Sequence, residues 1–369
     1  MITISLCVIV RNEESVLGRM LDSAASIVDE IILVDTGSTD STKEIALSRG
    51  CRVFDFPWCD DFSAARNFAC SKASMEYWMW LDADDVIPPK SQKELLDLKK
   101  QLSPSVDMIF LPYVTAFDQN GAPSFSYFRE RLIRNYRGYL WHGQVHEAIA
   151  PEGTVLSLSI PIEHRKEQPG DPNRNLRIYE TILRGGQKLD TRQLYYYGRE
   201  LFGHQRFREA ASVFRSFLKK ADGWKENQID ACLLLSRCME RLGKANGVLP
   251  ALFASFRYDA PRASTCCEIG RCKFASGLYQ EAAWWYKAAL SDQPELHPGA
   301  FIQTAYYDYI PLLQLCLCHS RLGDHKTALS YHEKAKALWP DDEAVQHNEL
   351  YFQELSSSAP DLFKEHIVQ

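Results

Sequence analysis

Nine residues, Tyr77-Trp78-Met79-Trp80-Leu81-Asp82-Ala83-Asp84-Asp85, constrain this chain more than any other stretch. The short aromatic and apolar run reads as a buried strand, and it stops abruptly in three carboxylates. In extended chain, residues two apart point the same way, so Asp82 and Asp84 are expected to share one face of the strand exit. Two hard oxygen donors there suit a divalent cation such as Mg²⁺ or Mn²⁺, which can in turn hold a diphosphate. The competing account is an acidic turn ahead of a helix that begins near Ser91. An EF-hand loop is excluded: counted from Asp82, the third ligand position is Val86, the glycine position is Ile87 and the closing glutamate position is Lys93.

The segments around that stretch alternate. Ile2–Val10 reads as a strand, and Glu13–Ser26 carries Val16, Leu17, Met20, Leu21, Ala24 and Ala25 at helical spacing, with Asn12 as its expected N-cap. Glu30–Val34 is a second buried strand. It ends in Asp35-Thr36-Gly37-Ser38-Thr39-Asp40, small residues that let the backbone turn sharply and approach a ligand, and a helix follows to about Arg49. Cys51–Phe54 is a third strand, and Asp60-Asp61-Phe62-Ser63 opens a helix through Ala73. Such alternation predicts an α/β sheet, largely parallel, with ligands outside the carboxyl ends of its strands. Asp35 and the Asp82–Asp85 cluster both stand at such ends. Beyond Pro88-Pro89 a helix is expected at Ser91–Leu102, then strands at Met108–Val114, Tyr127–Arg134 and Val155–Ile162.

From about Asn173 the pattern becomes purely helical. Gly203-His204-Gln205-Arg206-Phe207-Arg208-Glu209-Ala210 has counterparts starting at Gly277 and Gly323, and a poorer one at Gly243. A glycine ahead of a helix that begins around an alanine, recurring at a period near ~34 residues, is the tetratricopeptide pattern. The competing account is an irregular helical bundle. The expected division is an α/β domain over 1–170 and a helical repeat domain over 171–369.

With 369 residues, each part has enough chain to bury its own core. A net charge of −6 without any Lys/Arg block argues against a nucleic-acid or acidic-membrane surface. Met1–Val10 lacks a basic start and a small-residue cleavage site, so it reads as a strand, and no apolar run is long enough to span a bilayer. The eleven cysteines include no Cys-x-x-Cys, and several (Cys232, Cys238, Cys316, Cys318) fall on helical patterns. Reduced, mostly buried thiols in a cytoplasmic protein are expected, in preference to disulfides or a zinc site.

Four segments, in this order, carry a resemblance: Ser5–Glu13, Ile31–Asp40, Phe62–Asn67 and Trp80–Asp85. Together they resemble the glycosyltransferase family 2 domain of the nucleotide-sugar-binding (GT-A) fold, over roughly residues 2–165. With tetratricopeptide-like repeats behind it, the whole is similar to the bacterial sublancin-type peptide S-glycosyltransferases. The resemblance implies a Rossmann-like mixed sheet with Asp35 on the nucleotide base, usually uracil, beside Val10, Arg11 and Asn12. N-capping of the following helix is the other role open to Asp35, and Asp40 is the better cap.

Asp82 and Asp84 match the family's Asp-x-Asp metal motif, with Ala83 and Asp85 beside the donor. Arg66 and Asn67 resemble residues facing the donor pocket, with helix-surface pairing as the competing account. His164 fits a late third metal or phosphate ligand, or else a surface histidine, and Arg165, Lys166 and Arg174 can screen a diphosphate or simply be solvated. Glu147 is the best positional match for the acceptor base, with His146 as its alternative; His146-Glu147-Ala148-Ile149-Ala150 lacks the second His of a zincin.

The resemblance thus implies an inverting, metal-dependent hexosyl transfer from a UDP-sugar. The expected acceptor is a Cys, Ser or Thr side chain of a ribosomally made peptide of the bacteriocin kind. The repeats would bind that peptide or pair two protomers. An enzyme acting on a cell-envelope saccharide or lipid carrier, and a non-catalytic repeat scaffold, are the other readings.

Overall fold

The computed structural model describes residues 1–167, 170–294 and 299–358. By compactness the chain divides into two units, Met1–Glu200 and Leu201–Gln369.

The first unit begins with β1 (Ile4–Val10), α1 (Leu17–Ala24), β2 (Glu30–Asp35), α2 (Thr42–Ser48), β3 (Arg52–Asp55), α3 (Phe62–Cys70) and β4 (Tyr77–Trp80). These four strands are parallel in the order β3-β2-β1-β4. β1 is buried almost throughout, as a strand covered on both faces must be. Ile4, Leu6, Val8 and Val10 share one apolar cluster with α1, while Cys7 and Ile9 join the opposite one, with Trp78, Trp80 and Ala69 of α3.

Beyond β4 the sheet becomes mixed. β5 (Asp85–Val86), α4 (Pro89–Gln101), β6 (Met108–Phe117), β7 (Pro123–Arg134), β8 (Val155–Ser157) and β9 (Ile162–His164) follow in the chain. The path continues β4-β7-β6-β9-β5, with β8 beside β6; β7 is antiparallel to both neighbours, and β5 is antiparallel to β9. The expected Val155–Ile162 strand is two short strands, each parallel to a different part of β6. Two helices, α5 (Arg174–Arg184) and α6 (Thr191–Gly203), come next; α6 up to Glu200 belongs to the first unit.

Two local expectations are corrected. Asn12 does not cap α1, which starts five residues later with Val16 at the N-cap and no side-chain bond there. Asn12 instead sits at φ +56, in the left-handed region that Asn tolerates, and its Oδ1 accepts from Thr39 N at 2.8 Å. The period-two argument for Asp82 and Asp84 also fails, because the chain leaves β4 at Trp80 and turns, with Asp85 N donating to Asp82 O at 3.0 Å.

The second unit is helical: α7 (Phe207–Phe217), α8 (Lys225–Arg241), α9 (Val248–Ala254), α10 (Ala263–Ala275), α11 (Tyr279–Leu290), α12 (Tyr309–Arg321), α13 (His325–Leu338) and α14 (Glu343–Ser358). Successive helices pack on one another, as in a tetratricopeptide solenoid. Gly243, Gly277 and Gly323 have φ between +68 and +78 and stop α8, α10 and α12 in the left-handed conformation that favours glycine. The repeat glycine therefore ends one helix and does not begin the next. At the first repeat Gln205 takes the positive φ while Gly203 stays helical. The repeat alanines Ala210, Ala282 and Ala328 are fully buried, where a larger side chain would hold the helices apart. All eleven cysteines are free and Cys59 alone is exposed. No helix among the described residues is long and apolar enough to cross a membrane.

Candidate functional site

The site grows from the place where β4 stops. Asp82 lies in the turn after Leu81, and its Oδ1 accepts from Arg66 Nη2 at 2.7 Å. Arg66 projects from α3, which starts where it does because Asp61 caps it, accepting from Ala64 N. The guanidinium is buried over the rings of Trp80 and Trp141, 4.5 and 5.1 Å from their centroids. Its Nε donates to Glu147 Oε1 at 2.6 Å. One arginine thus links the strand-end carboxylate to the candidate base, which lies 81 residues beyond Arg66 in the chain.

The third carboxylate of the cluster does different work. Asp85 is completely buried, and both its oxygens are engaged. Oδ2 accepts from Asp82 N and from Arg131 Nη1, each at 3.0 Å; Oδ1 accepts from Tyr113 Oη at 2.8 Å and lies 3.2 Å from His164 Nδ1. Asp85 and His164 are direct partners in the β5–β9 ladder, which is how a histidine 79 residues on reaches the carboxylates. Arg131, sandwiched 3.8 Å from the Trp80 centroid and 4.2 Å from that of Tyr113, also holds the Trp80 carbonyl. Asp84 Oδ1 lies 3.2 Å from the same His164 nitrogen.

The electrostatics follow from this packing. Burial pushes Asp82 up, but Arg66, then Arg131 and His164, outweigh it and hold the carboxyl well below its usual range. Burial alone would depress His164, yet its hydrogen bonds to Asp84 and Asp85 push it up to about 10. Glu13, at the end of β1, is raised to about 7, by burial first and then by repulsion from Asp84, Asp82 and Asp40. Asp82, Asp85 and His164 each offer a ligand atom within 4.8 Å of the others. Since both Asp85 oxygens are engaged, the oxygens of Asp82 and Asp84, and the imidazole of His164 once a cation has displaced its proton, are the donors that fit a cation, and oxygen with imidazole suits Mg²⁺ or Mn²⁺.

The remaining expected site residues divide into two groups. Asp35 is buried, and its carboxylate accepts from Gly37 N and Ser38 N at 3.0 Å, closing its own turn. Hydrogen bonds from Ser38 and Gly37, against burial, hold it below the usual range. Asp40 is not the cap expected of it: the N-cap of α2 is Ser41, and Asp40 Oδ1, one residue earlier, accepts from Thr42 N at 3.0 Å. Val10 pairs with Asp35 across the ladder, Arg11 is exposed, and Ala83 is buried in the turn. Asn67 clamps the backbone of Trp141, donating to its O at 3.0 Å and accepting from its N at 2.9 Å. Arg165 donates its backbone N–H to Asp84 O, and Lys166 acts electrostatically on Glu13.

His146 has φ +52, and its Nε2 lies 2.8 Å from Glu200 Oε1 on α6. Its ring stacks on Tyr196 at 4.2 Å and 11°. Neither α6 residue stands out in the sequence, and nor do Arg131 and Tyr113.

Residues 5–150 match the sequence model of glycosyl transferase family 2. The chain is 36% identical over 182 residues to a TPR repeat-containing protein of Synechococcus elongatus, covering 49% of this chain and 41% of that protein. It is 26% identical over 254 residues to the SPbeta prophage-derived glycosyltransferase SunS of Bacillus subtilis, covering 63% of this chain and 58% of SunS. The chain thus spans about half the length of these relatives. Among solved structures it is similar to glucosyl-3-phosphoglycerate synthase of Mycobacterium tuberculosis in complex with Mn²⁺ and UDP-glucose (TM-score 0.36, 18% identity, 51% of this chain and 81% of that one). It is likewise similar to YrrB, a TPR protein with an unusual peptide-binding site (TM-score 0.36, 18% identity, 48% and 83%).

Proposed function

We propose that this chain is an inverting, metal-dependent glycosyltransferase that moves a hexose from a nucleotide sugar, a UDP-sugar, to a Cys, Ser or Thr side chain of a peptide. Residues 1–170 are the transfer domain, and 171–369 the helical repeats that hold the peptide or pair two protomers. The observation that carries the reading is the convergence of Asp82, Asp85 and His164 within 4.8 Å at the carboxyl end of β4, with Asp84 Oδ1 3.2 Å from His164 Nδ1 and the three carboxylates inside the family 2 match.

In this reading Asp82, Asp84 and His164 hold Mg²⁺ or Mn²⁺, which when bound supplies positive charge to a departing diphosphate. Asp85, Arg131 and Tyr113 keep His164 and Asp82 in place. The turn at Asp35, with Val10, Arg11 and Asn12 beside it, receives the base, and Arg66 orients Asp82 from the donor side. Asn67 fixes the Trp141 loop, so that His146 and Glu147 stand at the acceptor side and one of them takes the acceptor's proton.

The test is incubation with a panel of UDP- and GDP-sugars plus Mn²⁺, with candidate peptides read by mass spectrometry. Asp84→Ala is expected to lose divalent-dependent donor binding while its circular dichroism spectrum stays that of the parent. Unaltered donor binding by that variant would remove the metal from the account. Transfer to a saccharide or lipid carrier, with none to peptide, would overturn the acceptor assignment alone.

A further inference from the structure

We infer that Glu200 is a positioning residue that fixes His146 as the acceptor base, with Nδ1 of His146, and not the carboxylate of Glu147, receiving the proton. This rests on the transfer reading above. The geometry separates the two candidates. Glu147 is buried, its Oε1 is tied by the 2.6 Å bond from Arg66 Nε, and its carbonyl accepts from Arg129 Nη2 at 3.1 Å. That commits Glu147 to the arginines and away from an acceptor.

His146 is arranged in the opposite sense. Glu200 Oε1 accepts from Nε2 at 2.8 Å, and a carboxylate there selects the tautomer with the proton on Nε2. Nδ1 then carries the lone pair, and it has no partner among the described residues. Stacking on Tyr196 holds the ring plane, and Arg192 Nε donates to the His146 carbonyl at 3.1 Å, securing a backbone that few non-glycine residues adopt. Glu200 is itself steadied by Asn175 Nδ2 at 3.1 Å. A carboxylate, an imidazole and an open second nitrogen form the orienter–base pair of nucleophile-activating sites, with the two ring nitrogens exchanged.

Glu200 of the dyad and Asp82 both act electrostatically on one arginine, Arg174. Arg174 of α5 is lowered by burial, and Glu147, Asp171, Asp82 and Glu200 all act on it in the other direction. The charged and titratable groups around His146 are therefore Arg192, Tyr196 and Glu200 from α6, Arg174 from α5, and Glu147 from its own loop. In the step itself the acceptor's X–H proton passes to Nδ1. The acceptor's electron pair forms the bond to the anomeric carbon, and the anomeric C–O bond breaks with its pair leaving on the diphosphate. The imidazolium so formed faces the Glu200 carboxylate.

The full chain is assayed with Mn²⁺ and whichever of UDP-glucose, UDP-N-acetylglucosamine or GDP-mannose it hydrolyses fastest, with water and then N-acetylcysteine as acceptor. His146→Gln is expected to lower kcat by ~10²–10⁴-fold and to abolish the acid limb of the pH–kcat profile, with donor affinity by calorimetry within threefold of the parent. Glu200→Gln, which keeps an oxygen for Nε2 but loses the charge, is expected to lower kcat by about tenfold and to move the acid limb to lower pH, because the imidazolium loses its counter-ion. Glu200→Asp is expected to restore the limb. Retention of the parental limb by Glu200→Gln, or loss of it in Glu147→Gln but not in His146→Gln, overturns the dyad and leaves glycosyl transfer standing. A wild-type chain that turns over none of the donors overturns both.

Discussion

Each half of the molecule contains a buried arginine clasping two carboxylates, and the two clasps differ in one respect. In the first unit Arg66 holds Asp82 at 2.7 Å and Glu147 at 2.6 Å. In the second, Arg262 holds Glu226 at 2.9 Å and Asp259 at 3.0 Å. Asp259 is completed by Lys225 at 2.6 Å and by its own Ala260 N–H, contacts that, with Arg262, hold it down at about 2. Among the described residues Asp82 has no such second cation within bonding distance, and its Oδ2 has only the Tyr113 hydroxyl, at 3.4 Å. The helical clasp is completed by a second cation, whereas Asp82 Oδ2 has a single long contact. Identical parts therefore make a staple in one place and half of a binding site in the other, and the remaining lone pairs decide which.

The largest effect should come from opening both clasps. Arg66→Met leaves Asp82 and Glu147 without their cation, and Arg262→Met does the same to Glu226, which burial already raises despite Arg262. Stranding a buried carboxylate costs about 3–5 kcal/mol, so each variant should lower the urea midpoint of unfolding by a similar amount. Only Arg66→Met should also reduce donor turnover, by ~10²–10³-fold, as loss of one preorganised charge does. Equal loss of turnover in the two variants, measured where both are folded, would erase the distinction between staple and site.

A smaller change sharpens it. Tyr113 Oη touches Asp85 Oδ1 at 2.8 Å and His164 Nδ1 at 2.9 Å without being a ligand of the expected cation. Tyr113→Phe removes that hydroxyl and keeps the ring under Arg131. Mn²⁺ affinity, followed by water-proton relaxation, should weaken by ~10–100-fold, the usual cost of an outer-shell partner. Unchanged affinity would mean that Arg131 and Asp82 N suffice to hold Asp85 and His164.

These contacts also explain what the sequence could and could not disclose. Asp82 and Asp84 were legible because the signal is local: an apolar strand followed at once by acids. The parallel half of the sheet was legible for the same reason, each strand and helix having its own period. His164 joins Asp85 through the register of two strands only two and three residues long, which no periodicity encodes. Arg131 sits in a strand whose pattern gives no sign that a charge should be buried there. Glu200 and Tyr196 lie on a helix whose spacing reads as the start of the repeats, although by compactness that stretch falls with the sheet. Residues that build the site at long range therefore look like ordinary structure until the fold brings them together.

The smallest expected effect probes the closed character of the helical unit through pH. Glu349 of α14 accepts from His332 Nε2 and Lys336 Nζ, both at 2.8 Å, and these bonds, the His332 one first, lower it to about 2. A carboxyl whose folded value lies below its unfolded value of ~4.3 adds stability that is complete above the unfolded value and disappears as pH falls through the folded one. The difference in urea midpoint between wild type and Glu349→Gln should therefore stay constant above pH ~5 and shrink toward zero as pH approaches 2. Its partial exposure keeps the difference modest and salt-sensitive. A difference that does not vary with pH would show that the α13–α14 contact relies on the shape of the glutamate and not on its charge. The second unit's staples would then owe less to electrostatics than the comparison with Arg66 implies.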